Sequence, residues 1–179
     1  MTGNEAKEIR LEVALEAGDF QEFNVWFSRG SRLLLSAVSF VLLFAVLYAV
    51  SDDRSAGRLA LIAGGSALIT VILWYTTRSG ILRKSKSAFQ SDPAARQVQT
   101  YRLTEEGIEH RSEGGEGKVQ WAEIQKIAES PNLFLFFISS NQALILPKRV
   151  FGAEEVRFRQ LVREHMDQGR VKLREPSKI

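Results

Sequence analysis

Two apolar stretches, Leu33 to Ser51 and Leu59 to Thr77, each run nineteen residues without a charge, and no other feature restricts the fold of this chain so strongly. At about 1.5 Å per residue, a helix of that length crosses the roughly 30 Å hydrocarbon core of a bilayer. Both stretches are apolar all round: Leu33, Leu34 and Leu35 are consecutive, as are Val41, Leu42, Leu43 and Phe44. A core helix of a small soluble domain needs a wet face, so the pattern is that of a spanning hairpin rather than a buried pair. Trp74, Tyr75 and Tyr48 lie near the ends, where amphipathic rings favour the headgroup level.

Basic residues next to the spans set the expected orientation. Arg29, Arg32, Arg78, Arg83, Lys84 and Lys86 flank the outer ends, whereas the link from Asp52 to Arg58 holds only Arg54 and Arg58. The positive-inside bias therefore puts both termini in the cytoplasm and makes the chain multi-pass. A cleavable signal peptide is not expected, because mixed sequence precedes Arg29 and the apolar run exceeds a signal h-region. Neither span holds an ionisable residue, which argues against an ion or proton pathway. Small residues cluster on the second span, with Ala60 and Gly64, and Ala63 and Ala67, four apart. Such a face lets a neighbouring backbone approach closely, either within the hairpin or in a homodimer.

Outside the spans there is material for one small domain. The chain has no cysteine, so disulfides and thiolate metal sites are excluded. From Arg78 onward there are 18 basic against 13 acidic residues, while Met1 to Arg32 holds 4 against 6. An excess of that size helps a domain rest on anionic headgroups but falls short of the dense basic face of a nucleic-acid binder.

Ile9, Leu11, Val13 and Leu15 alternate with Arg10, Glu12, Ala14 and Glu16, the period of a half-buried strand. After Gly18, Asp19 with Glu22 three residues on reads as an acidic capping box, and Phe20, Phe23, Trp26 and Phe27 fall on one side of a short helix. That helix either lies along the headgroups or covers a sheet with its aromatics. Past a helical extension or linker, turn signals separate strands near 98–103, 108–111, 119–127, 133–138 and 143–146. Gly114, Gly115 and Gly117 mark one turn, and Glu154 to Gln168 is an amphipathic helix closed by Gly169, with Arg159 on its wet side. A strand meander with one C-terminal helix is the order of a pleckstrin-homology-like domain. Its strand count is complete if the N-terminal strand joins the sheet, which makes the hairpin an insertion.

Three segments are similar to a known family: 101–108 (YRLTEEGI), 121–127 (WAEIQKI) and 143–151 (ALILPKRVF). In this order, downstream of two spans, they resemble the YcxB-like family of small bacterial membrane proteins. The resemblance implies a bacterial cytoplasmic (inner) membrane protein with a cytosolic pleckstrin-homology-like domain, and it supplies no reaction or catalytic residues.

The expected architecture is thus an α+β membrane protein, a transmembrane hairpin plus a small cytosolic sheet domain capped by one helix. Its parts are 1–28 (strand and amphipathic helix), 29–78 (hairpin), 79–97 (juxtamembrane linker), 98–170 (domain) and 171–179 (tail). His110 and His165, the sole histidines, sit on different elements, so no metal or cofactor is expected. The run from Gly114 to Lys118 lacks phosphate-loop spacing, and no serine sits in a nucleophile elbow, so the chain is not expected to be an enzyme. Lys148 and Arg149, following Pro147, are the candidate contact for a lipid phosphate or acidic partner. The bland alternative is solvated charge or an ion pair with Glu154 or Glu155. The resulting expectation is a membrane-anchored recognition module binding lipid, or a membrane or cytosolic protein. The alternative is a structural subunit, homodimeric or in a complex, joined through the hairpin.

Overall fold

The structure, a computed structural model, describes residues 8–140 and 142–173. The first and last parts of the N-terminal and tail segments expected above, 1–7 and 174–179, lie outside them. In chain order the elements are β1 (Ile9–Val13), α1 (Ala17–Phe27), α2 (Arg29–Val50), α3 (Ala56–Ser91), β2 (Gln99–Leu103), β3 (Gly107–Ser112), β4 (Gly115–Gln120), β5 (Lys126–Glu129), β6 (Leu133–Phe137), β7 (Ala143–Pro147), α4 (Glu155–His165) and β8 (Val171–Lys172). Two compact units result: residues 24–85, and the residues on either side of that insertion.

The inserted unit is an antiparallel hairpin. Its two helices, α2 and α3, are long and apolar enough to cross a membrane. The turn between them is built from short polar side chains. Asp53 accepts the Ser55 N–H at 2.8 Å, and the Ser55 hydroxyl caps α3 by accepting the Arg58 N–H at 3.3 Å. Arg58 returns to the Ser51 hydroxyl at 3.3 Å, and at the far end Arg32 lies over the Trp74 ring at 4.8 Å. Helix α3 does not stop where its apolar run does. Nothing in the stretch after Thr77 breaks a helix until Pro93, which biases Asp92 away from helical backbone, so much of the expected linker is helix.

The second unit is two four-stranded sheets and one helix, in the orders β1-β2-β3-β4 and β7-β6-β5-β8. Strand β1 pairs antiparallel with β2, Ile9 opposite Leu103 and Leu11 opposite Tyr101. Its period-two pattern puts Ile9, Leu11 and Val13 into the core and Arg10 and Glu12 outside. The core also takes Leu103, Ile108, Val119, Ile127, Phe134 and Phe136, and α4 closes it with Phe158, Leu161 and Val162. Phe134 and Phe158 meet with ring centroids 4.7 Å apart.

Several local expectations change. Gly115 and Gly117 are not turn residues but lie in β4, where Gly117 faces His110; a side chain there would collide with that ring. Trp121 sits in a short 3₁₀ turn and donates its indole N–H to the Thr104 carbonyl at 3.0 Å. Helix α4 ends at His165 rather than Gln168. Val171 and Lys172, expected in the tail, form β8 parallel to β5.

Candidate functional site

Pro147 ends β7 because it has no N–H to extend the ladder, and its fixed φ turns the chain into a 3₁₀ turn over Lys148–Val150. The Lys148 N–H donates to the Asn132 carbonyl at 2.8 Å, which pins this turn to the β5–β6 loop. Both candidate cations are thereby aimed at carboxylates of their own domain. Neither meets Glu154 or Glu155: Glu154 pairs with Arg157, and Glu155 with Arg159.

Lys148 donates to Glu129, whose side chain is only 2% exposed. The same carboxylate receives Arg159 bidentately, both bonds at 2.9 Å, and Arg159 continues to Glu155 at 2.7 and 2.9 Å. Lys148 and Arg159 both lie over the Phe134 ring, at 5.4 and 5.0 Å from its centroid. Hydrogen bonds to Glu129 hold the Arg159 guanidinium above its ordinary range, against the desolvation that burial imposes. Arg159 is therefore buried, not on the wet side of α4. Its charge is tolerable there because two cations and two anions alternate.

Arg149 reaches the other way, to the N-terminal arm. It donates to Asp19 through Nη1 at 2.7 Å and Nη2 at 2.6 Å, and Nη2 also donates to the Ala14 carbonyl at 3.0 Å. The Asp19 hydrogen bond raises the guanidinium pKa, with desolvation opposing it. Asp19 stands at the third position of α1 and accepts the Glu16 N–H at 2.8 Å, so it is the returning half of a capping box that opens at Glu16. Glu22 is not its partner in that box. Glu22 accepts from the Ser130 hydroxyl at 2.6 Å and from the Asn132 backbone and amide at 2.9 and 2.8 Å. Burial pushes its carboxyl up, but these donors outweigh it and hold the group below its ordinary range. Asp19, Glu22, Glu129 and Arg159 thus carry the polar architecture around the Lys148–Arg149 turn. Sequence reasoning missed this role because each pair joins residues far apart in the chain.

The outer face of the first sheet is a different kind of surface. A shallow cleft of about 650 Å³ is lined by Arg10, Thr100, Arg102, Glu109, Arg111 and Lys118. Its charges alternate across the strands: Glu8 is shared by Arg10 and Arg102, Glu109 lies 3.5 Å from Arg102 and 3.4 Å from Lys118, and Glu116 meets Arg111. The Arg102 guanidinium, then that of Arg10, pulls the Glu8 carboxyl down to about 2. His110 stacks on Tyr101 and His165 on Trp121, apart from one another. Among the described residues no group of His, Asp or Glu is arranged to hold a metal ion.

Along α2 and α3, Arg29, Arg78, Arg83, Lys84 and Lys86 are exposed, whereas Arg32 is buried, donating to the Val25 carbonyl at 2.7 Å as well as covering Trp74. The small residues divide. Ser66 is buried, with Ile62 one turn before it, and Ala63 is half-buried, while Ala60, Gly64 and Ala67 are exposed on another side of α3.

An α+β chain with a double-sheet domain closed by one helix, and a long apolar hairpin between its first two strands, is the class these elements define. Residues 103–162, from the end of β2 into α4, match the family model described as YcxB-like protein. A similar protein, "Uncharacterized protein YcxB" of Bacillus subtilis (strain 168), is 28% identical over 93 residues, which is 51% of this chain and 50% of that one. The chain thus spans about half the length of the curated relative it matches. No solved structure matches.

Proposed function

We propose that this chain is a membrane-anchored, non-enzymatic recognition module of the bacterial cytoplasmic membrane. In this reading α2 and α3 span the bilayer, both termini are cytoplasmic, and the double sheet is a pleckstrin-homology-like domain presented at the inner face to a protein or lipid ligand. The observation that carries it is the outward apolar surface of the hairpin. Leu34, Leu61 and Val50 are 67%, 70% and 75% exposed, and they are three of many. At about 25 cal/mol per Å² of apolar surface, such a pair is far more stable in hydrocarbon than in water. The assignment of a binding role to the domain rests on analogy with other modules of that architecture.

The ligand surface we favour is the cleft on the outer face of the first sheet, whose cations are also paired, Arg102 with Glu8 and Arg111 with Glu116, but in exposed pairs that a ligand displaces at little cost. Lys148 and Arg149, the contact expected from the sequence, are committed to Glu129 and Asp19, and a ligand there has to displace them. Replacing both residues tests stability before it tests binding. The cleaner comparison is in-cell crosslinking, mild-detergent purification and mass spectrometry of the native chain beside Arg102→Ser with Arg111→Ser, and Gly64→Leu. Loss of a companion from the first variant and its retention in the second is the expected result. Self-crosslinks alone, abolished by Gly64→Leu, favour a structural subunit instead. That second reading has its own support, the exposure of Ala60, Gly64 and Ala67 with open space beside Gly64.

A further inference from the structure

Cations outside and inside the inserted hairpin are treated differently. In the sheet domain most of them meet a carboxylate: Arg10, Arg102, Arg111, Lys118, Lys148, Arg149, Arg157 and Arg159 all do so. In residues 24–85 the carboxylates are Asp52 and Asp53, both in the link at one end. The opposite end holds Arg29, Arg78, Arg83 and Lys84, all exposed and with no ion pair among the described residues. Arg32 over Trp74 sets the start of α2 level with the end of the apolar run of α3, so Arg29 and Arg78 share one level of the hairpin.

We infer that Arg29, Arg78, Arg83 and Lys84 form a collar that binds the phosphates of anionic phospholipid headgroups. The inference rests on the membrane-spanning reading above and adds the lipid class and its contacts. Two features of placement favour lipid over a protein partner. At about 100° per residue, Arg83 lies roughly 140° and Lys84 roughly 240° around α3 from Arg78. The charges therefore point to three sides of one helix, which suits a surrounding ring of lipids and not a single docking face. In depth, Lys84 stands about 9 Å along the axis beyond Arg78. A side chain there reaches back into a headgroup layer some 5 to 7 Å thick, and its charge is within about one Debye length of it. Arginine adds bidentate geometry matched to phosphate.

The test is the full chain in nanodiscs of mixed phosphatidylglycerol and phosphatidylcholine, with the lipids retained on release counted by native mass spectrometry. Each basic residue near an anionic surface favours it roughly five-fold, so the ratio of phosphatidylglycerol to phosphatidylcholine among the retained lipids should exceed the bulk ratio by about ten-fold or more at low salt. Arg78→Gln with Arg83→Gln and Lys84→Gln should bring the ratio close to the bulk value, and Arg78→Lys with Arg83→Lys should keep most of the preference. Near 1 M salt, where the Debye length is about 3 Å, the preference should vanish in the native chain. Bulk-ratio lipid around a native chain that is firmly integrated overturns the collar alone. Displacement of retained lipid by inorganic phosphate, beyond that by chloride at equal ionic strength, overturns it in favour of a free-anion site. A chain that alkaline carbonate strips from membranes overturns the spanning reading and the collar with it.

Discussion

Removing Arg149 should loosen the N-terminal arm, and the structure sets how much. The guanidinium makes a bidentate pair with Asp19 at 2.6 and 2.7 Å; the Asp19 side chain is 7% exposed and that of Arg149 41%. Breaking a fully buried pair by deleting one partner costs about 3–5 kcal/mol, and an exposed pair contributes about 0–1 kcal/mol. Arg149→Ala lies between, because it strands a buried carboxylate whose remaining partner among the described residues is the Glu16 N–H. We expect a loss of about 2 kcal/mol, or about 8–10 °C in Tm for a domain of this size. Asp19→Ala should cost about as much, since it removes the helix cap as well as the pair. The double variant should recover about 1.5 kcal/mol relative to the sum, the coupling expected of residues in direct contact. Lys148→Ala provides the contrast: Glu129 keeps both Arg159 bonds, so about 1 kcal/mol or less is expected. Urea denaturation of the full chain in mild detergent, followed by the fluorescence of Trp121 in a Trp26→Phe, Trp74→Phe background, measures all four. Additivity of Asp19→Ala and Arg149→Ala within about 0.5 kcal/mol would refute the pairing, as would a larger effect at Lys148 than at Arg149.

Three further outcomes follow from the packing. Leu11→Ala opens a cavity under β1 and should destabilise the sheet domain by about 2–5 kcal/mol, although some ninety residues separate it from β2; an unchanged melt of the domain would detach β1 from it. Gly117→Ala drives a methyl into the His110 ring and should cost about 1–3 kcal/mol, largely relieved by adding His110→Ala; equal melts of the single and double variants would contradict that clash. Glu8 and Glu22 both titrate below their unfolded range, so the stability they add is complete above about pH 5 and falls as pH drops through the folded values, about 2 for Glu8. Glu8→Gln should flatten the decline in Tm between pH 5 and 2, and an undiminished acid slope would show that the Arg102 and Arg10 contacts do not persist in solution.

What the sequence made legible was local. Alternation from Ile9 to Leu15 specified β1 and its inward face, and uninterrupted apolarity specified the two long helices, because both signals lie within a few neighbouring residues. Phe158, Leu161 and Val162 likewise announced the buried face of α4. Arg159 was misplaced, since helical spacing alone gives no sign of a buried carboxylate thirty residues away in β5. The same limit applied to Asp19 and Glu22. Their three-residue spacing imitates a capping box, yet one partner of that box is Glu16 and the true partners of Glu22 are Ser130 and Asn132. Strand β8 has two residues, too few for any periodicity, and exists because Val171 and Lys172 find the free edge of β5. The Lys148–Arg149 turn was visible as a feature but not as a structural tie, because the carboxylates that neutralise it come from a different strand and from the opposite end of the chain.

The central claim is a bilayer-spanning hairpin inserted between β1 and β2 with the sheet domain on the cytoplasmic side. The chain has no cysteine, so single cysteines report position without background. Asp52→Cys in the link and Arg163→Cys on the exposed side of α4 would be treated in intact bacterial cells with a membrane-impermeant maleimide, before and after lysis. The account predicts labelling of Asp52→Cys in intact cells and of Arg163→Cys only after lysis. Labelling of Arg163→Cys in intact cells, or protection of Asp52→Cys until lysis, would contradict it.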